Sequence, residues 1–317
     1  MLNSFSLHWD ADFSVIAFVG AMQITLSNGT QLRGDLIKKV VYRSDMSPVP
    51  ATVEAEIRVD DSIRSQLGDK QTINVNGDDF IIVKPESASG RESQGEHPRD
   101  AVRITCFLAA TAPVAYMQAN PIIKENCLLT EIYRAAGANI RVVTSDFRAY
   151  AFTCLAGGKP SEGISQMLQE EGGIVRWKAG KLWFFRIGDL FNQSPVLTLP
   201  DNATDNVQSQ LKEHDEIPTF FSFDANGNEI YGNPSGTRRR AYVPRKNQQQ
   251  LYNMSRVLVR RKVSKINYNE SLCAGDLINY QGADPLVIVT AAHVWTNSAD
   301  GGGSSQFSKL WLSAVGK

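Results

Sequence analysis

The chain has 317 residues, of which 42% are hydrophobic and 21% are charged. This composition supplies a sizeable core, enough for two or three domains, and it excludes a wholly disordered chain. Lysine plus arginine and aspartate plus glutamate both number 33, so no global field draws the molecule to nucleic acid or to an anionic membrane. A role with nucleic acid would therefore be local or indirect.

The cysteines are isolated from one another and form none of the CxxC pairs of a metal site. They are Cys106, Cys127, Cys154 and Cys273. Free cysteine behaves as a small hydrophobic residue, so we expect all of them to be reduced and buried, as suits synthesis in the cytosol. The N-terminus has no basic stretch, and the apolar segment 13–22 is about half as long as a membrane span, so we expect neither a cleaved signal nor membrane insertion by this chain.

Residues 1–118 have the pattern of short strands joined by tight turns. Segment 5–19 has the pattern of a strand, and segment 53–59 alternates apolar and polar side chains. Asn-Gly turns lie at 28–29 and at 76–77. We interpret this part as a small tube-like β-barrel.

A polar segment interrupts this first barrel at residues 85–100. Between Pro85 and Arg99 it offers no apolar side chain larger than alanine apart from its prolines, so we predict an exposed loop. Residues 101–110 then read as another buried strand of the same sheet.

Residues 119–195 change to a helix-plus-hairpin pattern. Apolar residues recur at helical spacing over 128–136, and Gly137 follows as a natural end of the helix. A second helix is predicted from Pro160, with Ser161 as its N-cap, to the glycine pair at 172–173, followed by a hairpin that turns at 178–180. We interpret this part as an α/β middle domain.

Residues 196–317 return to short strands, and we interpret them as a second tube-like β-barrel. Within them, residues 232–250 are rich in Arg, Asn, Gln and Pro and predict a long exposed loop, and residues 301–305 predict a hairpin tip. The predicted fold class is therefore mainly β with an α/β insert.

Catalytic patterns are missing from the sequence. The histidines, His8, His97, His214 and His293, have no metal-site spacing, and phosphate-loop, dinucleotide and nucleophile-elbow motifs do not occur. His293 lies in an apolar strand, where a hydrogen-bonded structural histidine is a better interpretation than a general base. We predict no catalytic, cofactor-binding or metal-binding residue, and no enzyme.

Two further groups of charged residues have competing interpretations. Glu170 and Glu171, or the cluster of Glu213, Asp215 and Glu216, could supply the carboxylate pair of a glycosidase, although such pairs also arise by chance on acidic surfaces.

Basic clusters at 238–246 and 256–262 could contact phosphates, but solvated or interface segments explain them better. In the second cluster, strand periodicity predicts that Arg260 and Lys262 share one face while Arg261 points to the other.

Three segments carry a resemblance to a known family. Residues 159–191, KPSEGISQMLQEEGGIVRWKAGKLWFFRIGDLF, combine an amphipathic helix, a glycine break and an aromatic hairpin, and residues 129–143, LTEIYRAAGANIRVV, look like the same unit. Residues 257–295 place a Gly-Asp turn before a strand and its return strand. Over residues 100–317 the chain resembles the baseplate hub proteins of contractile-tailed bacteriophages and the related late-control-D-like proteins, and the N-terminal sheet fits by topology.

The resemblance implies a homotrimer in the virion tail, assembled in the host bacterial cytoplasm. Its barrels would form a pseudo-sixfold ring that joins the tail tube protein to the central spike protein, contacts baseplate wedge proteins and possibly the tape measure protein, and lets DNA pass through its lumen. Unlike fused hubs, the chain has no recognisable lysozyme-like or peptidase segment. The alternative function is a carbohydrate-binding or receptor-binding tail protein, in which Trp177, Trp183 or Trp295 would stack on sugar rings.

Overall fold

The structure is a computed structural model that describes residues 22–88, 100–200, 204–206, 217–233, 238–280, 283–297 and 303–316. The strand predicted over residues 5–19 lies outside these ranges, as do His8, His97 and His214. Most of the loop predicted at 85–100 also lies outside them, as do residues 301 and 302 of the predicted hairpin tip, whereas residues 304 and 305 are described and begin the last strand.

β-Strands make up most of the described chain, which confirms the mainly-β fold class. The first part contains β1 (Ile24–Leu26), β2 (Ile37–Asp45), β3 (Ala51–Val59), β4 (Thr72–Val75), β5 (Asp78–Ala88) and β6 (Asp100–Leu108), with the short helix α1 (Asp61–Ser65). The last part contains β12 (Leu197–Leu199), β13 (Thr204–Asn206), β14 (Thr219–Phe223), β15 (Glu229–Tyr231), β16 (Arg240–Tyr242), α5 (Gln248–Ser255), β17 (Leu258–Asn267), β18 (Leu277–Tyr280), β19 (Ala283–Asn297) and β20 (Ser304–Val315).

One large sheet joins the two ends of the chain. Its strand order is β1-β4-β5-β6-β3-β2-β19-β20-β17-β13, and β18 and β12 branch from β19. The prediction of two separate barrels needs correction, because β2 pairs antiparallel with β19, with Tyr42 opposite His293, and no closed barrel is found among the described strands. Pairing β2 with β19 satisfies two edges that separate barrels would each have to protect.

β3 of the large sheet buries one face and largely exposes the other, as its alternating sequence predicted. Val53, Ala55 and Ile57 are at most 2% exposed, whereas Glu54 on the same strand is exposed. A β-bulge at 260–262 shifts the register of β17, so Arg260 stands opposite Ser313 and Lys262 opposite the next residue, Leu312. The prediction that Arg260 and Lys262 share a face is therefore wrong, because the extra residue breaks the period of two.

The middle of the chain forms small separate sheets with helices, as predicted. It contains β7 (Ile122–Leu128), α2 (Leu129–Ala135), β8 (Val143–Ser145), β9 (Arg148–Cys154), α3 (Pro160–Glu171), β10 (Gly173–Lys178), β11 (Lys181–Arg186) and α4 (Ile187–Leu190). Gly137 and Gly172 follow α2 and α3 with φ of 90° and 60°, so glycine ends both helices as expected. The N-cap of α3 is Lys159 and not Ser161, because Pro160 occupies the first helical position.

Two predicted loops contain regular structure. β5 continues through Ala88, which stands opposite Ala101 of β6, so the strand extends past Pro85. Within the predicted loop at 232–250, β16 and the start of α5 are formed. α5 begins with a capping box in which Asn247 and Gln250 exchange side-chain and backbone hydrogen bonds, a signal that the polar composition of this segment obscured.

Candidate functional site

The Gly-Asp turn between β17 and β18 anchors the middle hairpin to the large sheet. Asp276 is 1% exposed and Arg176 of β10 is 4% exposed, and the Arg176 guanidinium donates to the Asp276 carboxylate. Lys178 Nζ lies 2.6 Å from Asp276 Oδ1, and the backbone N–H of Cys273 donates to Asp276 Oδ2 over 3.0 Å. These contacts satisfy a carboxylate that would otherwise be costly to bury.

Gly275 makes the close approach of the hairpin possible. Its φ is 88°, and a Cβ there would meet Arg176 Cδ at 2.9 Å. Glycine therefore serves both the turn conformation and the packing of the arginine. The sequence reveals the turn but not its partner, because Arg176 and Asp276 are 100 residues apart.

A cleft of about 550 Å³ opens beside this anchor, between the hairpin turn, the β4–β5 turn and the loop after β17. Both turns contain residues with positive φ: Asn76 and Gly77 in the β4–β5 turn, and Ala179 and Gly180 in the hairpin turn. The lining includes aromatic and ionisable side chains: Tyr42, Trp177, Tyr268, Asp78, Lys178, Glu270, Cys273 and His293.

Several of the polar side chains that line this cleft are engaged in hydrogen bonds. Tyr42 Oη donates to Asp78 Oδ2 over 2.9 Å, and burial followed by the Asp78 carboxylate raises the pKa of Tyr42 well above its usual value. Burial also raises the pKa of Asp78. In His293, Nδ1 lies 2.8 Å from Ser308 Oγ and Nε2 lies 2.9 Å from the Leu272 carbonyl oxygen, and burial lowers the pKa of the ring.

His293 is thus the hydrogen-bonded, buried histidine that the sequence predicted. With both ring nitrogens engaged and a lowered pKa, the neutral ring serves to bridge β19, β20 and the Leu272 carbonyl. The cleft has a mixed aromatic and polar lining, and its polar groups are directed mainly at one another.

The carboxylate pair proposed at Glu170 and Glu171 is engaged in ion pairs. Lys246 Nζ lies 2.7 Å from Glu170, and Arg186 lies 3.2 Å from Glu171. These contacts brace α3 against neighbouring segments, which gives the two residues a structural task. Glu213, Asp215 and Glu216 lie outside the described residues.

The cysteines are free and buried, as predicted. Burial raises the pKa of Cys106 to about 12, and burial, followed by the nearby Asp276 carboxylate, raises the pKa of Cys273 to about 11. A thiol with a raised pKa is a poor nucleophile and a poor metal ligand. Among the described residues no group of three or more His, Cys, Asp or Glu side chains is placed to hold a metal ion.

The tryptophans offered for sugar stacking differ in accessibility. Trp295 is 6% exposed in the core, and Trp183 stacks on Phe185 with ring centroids 5.5 Å apart. Trp177 lines the cleft but also packs against two core clusters. Of the three, Trp177 alone lines the cleft and is the candidate for a sugar contact.

Residues of the basic cluster at 238–246 contact nearby side chains of this chain. The Arg240 guanidinium lies over the Tyr231 ring, 5.4 Å from its centroid, and Lys246 pairs with Glu170. This agrees with the interpretation of these residues as a solvated or interface segment. Within the described ranges, the helices are all too short or too polar to cross a membrane.

Solved structures of other proteins are similar to this chain in fold. No family model and no curated protein matches the sequence. The tail protein from Neisseria meningitidis MC58 matches with a TM-score of 0.64 and 11% identity, over 93% of this chain and 96% of that one. The prophage MuSo2 43 kDa tail protein from Shewanella oneidensis matches with a TM-score of 0.61 and 11% identity, over 92% and 97%.

A secretion protein shares the fold as well. A component of the type VI secretion system of E. coli, described as structurally similar to the bacteriophage tail proteins gp27 and gp5, matches with a TM-score of 0.50 and 12% identity, over 87% of this chain and 73% of that one. The chain therefore has the fold of phage tail proteins, along almost its whole length.

Proposed function

We propose that this chain is the structural hub of a phage tail baseplate. In this role it forms a homotrimeric ring that joins the tail tube to the central spike and borders the DNA ejection channel. The observation that carries the proposal is the match of nearly the whole chain to nearly the whole of two tail proteins. The likeness to a secretion component related to gp27 and gp5 supports the more specific placement near a spike.

The continuous sheet supports the ring geometry. Because β2 and β19 join strands from both ends of the chain, each copy would contribute one continuous wall of paired strands. Three such walls placed head to tail close a ring through heterologous contacts, and strand edges at the seams are then protected. Neighbours in the tail would be the tube, spike, wedge and tape measure proteins, and the site would be the virion, after assembly in the host cytoplasm.

A structural role also accounts for the chemistry of the chain. His293 and the Glu170–Glu171 pair are committed to structural contacts, and the buried thiols have raised pKa values. We therefore propose no enzymatic activity for this chain, and cell-wall digestion would belong to a partner. The carbohydrate-binding alternative draws its support from Trp177 in the aromatic cleft.

Light scattering coupled to size-exclusion chromatography tests the proposal directly. We expect a trimer mass that persists on dilution, and micrographs that show rings with threefold or sixfold symmetry, alone or with the tube and spike proteins. A monomer at high concentration that forms no ring with either protein would overturn it. A glycan array tests the carbohydrate-binding alternative. That alternative requires that the wild-type protein binds a glycan and that Trp177→Ala removes this binding.

A further inference from the structure

The solvent-facing side of the large sheet carries a row of basic residues, which we call the cationic row: Lys265, Lys309 and Arg43. Lys265 of β17 stands directly opposite Lys309 of β20. Lys309 stands opposite Ala292 of β19, which in turn stands opposite Arg43 of β2. Residues opposite one another in adjacent strands project from the same face, so the three cations form one line across four strands.

The cationic row conflicts with the usual rules of sheet stability. Like charges directly opposite each other in a sheet are destabilising, and the ion pairs found among the described residues involve none of these three cations. Asp45, two residues along β2 from Arg43, accepts a hydrogen bond from Thr290 Oγ1 and also interacts electrostatically with Arg43, so Arg43 has a partial counter-charge. The facing lysines, Lys265 and Lys309, break this rule without an ion pair to a carboxylate, which is typical of a functional surface.

The other half of the same face is neutralised. Arg103 of β6 lies 3.2 Å from Glu56 of β3, and Lys84 lies 2.7 Å from Glu86. The positive charge of the face is therefore concentrated on β2, β20 and β17. If the charges of this face served only to keep it solvated, we would expect cross-strand ion pairs in both of its halves.

Aromatic rings support the two lysines without cancelling their charge. Lys265 Nζ lies 4.0 Å from the centroid of the Phe307 ring, and Lys309 Nζ lies 5.1 Å from that of Trp311. Such contacts orient an ammonium group and leave its charge available. Each ammonium group occupies one face of its ring, so this surface offers mainly charge to a partner, whereas a protein partner would need an apolar centre.

We propose that the cationic row binds the phosphate backbone of nucleic acid, independently of sequence. With strands about 4.8 Å apart, three strand steps separate Lys265 from Arg43 by about 14 Å, a length that spans several phosphates of one strand. Because lysines lie over the Phe307 and Trp311 rings, we assign the contact to electrostatics and not to base stacking. The inference deepens the proposed function and rests on it for the source of the polyanion, since DNA is the chain that would pass this face.

Fluorescence anisotropy of a short labelled DNA duplex with the full chain tests the inference. We expect the double variant Lys265→Gln/Lys309→Gln to bind at least about tenfold more weakly at low salt, and its plot of log affinity against log salt to be shallower by about 1.8, or 0.9 per cation removed. Its melting temperature should be unchanged or higher, because a like-charge pair is removed, so the loss of binding is separate from unfolding.

Lys124→Gln/Lys181→Gln is the matched control, because it removes two exposed lysines outside this face. Equal losses in the two double variants, an unchanged salt slope, or no binding by the wild-type chain would overturn the inference, as would equally tight binding of poly-glutamate that the row variant also loses. A chain that forms rings but binds no duplex contradicts this inference alone. A chain that binds duplex through the row but never assembles contradicts the proposed function.

Discussion

Asp276 neutralises two cations from the middle hairpin at a position where water is excluded. Arg176 is 4% exposed and has no second carboxylate within ion-pair distance among the described residues. Removing one partner of a buried ion pair leaves an uncompensated charge, which costs about 3–5 kcal/mol. The free energy of unfolding should thus respond strongly to this one carboxylate.

We expect Asp276→Asn to lower the free energy of unfolding by about 3 kcal/mol or more, measured by urea denaturation. Asp284→Asn removes an exposed carboxylate at the start of β19 and should change stability by less than about 0.5 kcal/mol. Similar small effects from both variants would mean that the hairpin is not anchored by this pair.

His293 gives stability a predictable pH dependence. Burial lowers its pKa in the folded protein below the ordinary value of 6.5, so the unfolded chain binds a proton at a higher pH than the folded one. Stability from the neutral ring is therefore fully present above about pH 6.5 and is lost as the pH falls from there toward the folded pKa.

The difference in unfolding free energy between wild type and His293→Gln should shrink as the pH falls below about 6.5. The comparison isolates His293, because all other titrating groups are common to the two proteins. A difference that stays constant from pH 8 to pH 5, at about the same value throughout, would show that the ring titrates alike in both states.

At the scale of the elements, the β10–β11 hairpin contains a backbone conflict. Ala179 has φ of 51° and Gly180 has φ of 71°, the pattern of a two-residue turn that favours glycine or asparagine. Alanine in the left-handed region costs about 1 kcal/mol. The turn is formed all the same, because pairing along the whole hairpin determines its position.

Two reciprocal substitutions test this conflict. Ala179→Gly should raise the midpoint of thermal unfolding, with a gain of about 0.5–1 kcal/mol, whereas Gly180→Ala should lower stability by about 1 kcal/mol. A Cβ on Gly180 would meet no atom within 4 Å, so the loss would come from its φ alone. If both substitutions moved the midpoint in the same direction, the backbone explanation would be wrong.

The turns and helix ends could be predicted from the sequence because their signals are local. Positive φ values at Gly77, Gly137, Gly172 and Gly180 fall where glycine punctuates the apolar pattern. The helix α5 was missed, although Asn247 and Gln250 carry a capping-box spacing, because its surroundings are polar throughout. In the prediction, the polar composition of the whole segment therefore outweighed the capping-box signal of these two residues.

At the scale of the whole molecule, long-range pairing is what the sequence could not reveal. Both β2 and β19 were predicted as strands, but periodicity does not tell a strand which partner it takes. The same limit applies to Arg176 and Asp276, and to Lys265 and Lys309, which meet only through the fold. The resemblance of the middle unit to hub proteins led to the correct class of fold, since it combines several local signals over a longer stretch.

The continuous sheet predicts that both ends of the chain unfold together. Ile57 in β3 and Leu310 in β20 are each fully buried, in different core clusters on the two sides of the β2–β19 junction. Truncating either side chain to alanine should cost about 2–5 kcal/mol. If the sheet is one cooperative unit, each variant lowers the midpoint of the same transition, and circular dichroism and tryptophan fluorescence report coincident curves.

Lys124→Ala, an exposed position outside the large sheet, should leave that midpoint unchanged. Two transitions in the calorimetric scan, of which Leu310→Ala moves one and Ile57→Ala the other, would mean that the halves are independent units whose strands merely adjoin, and a rigid one-piece wall would no longer be available to the ring.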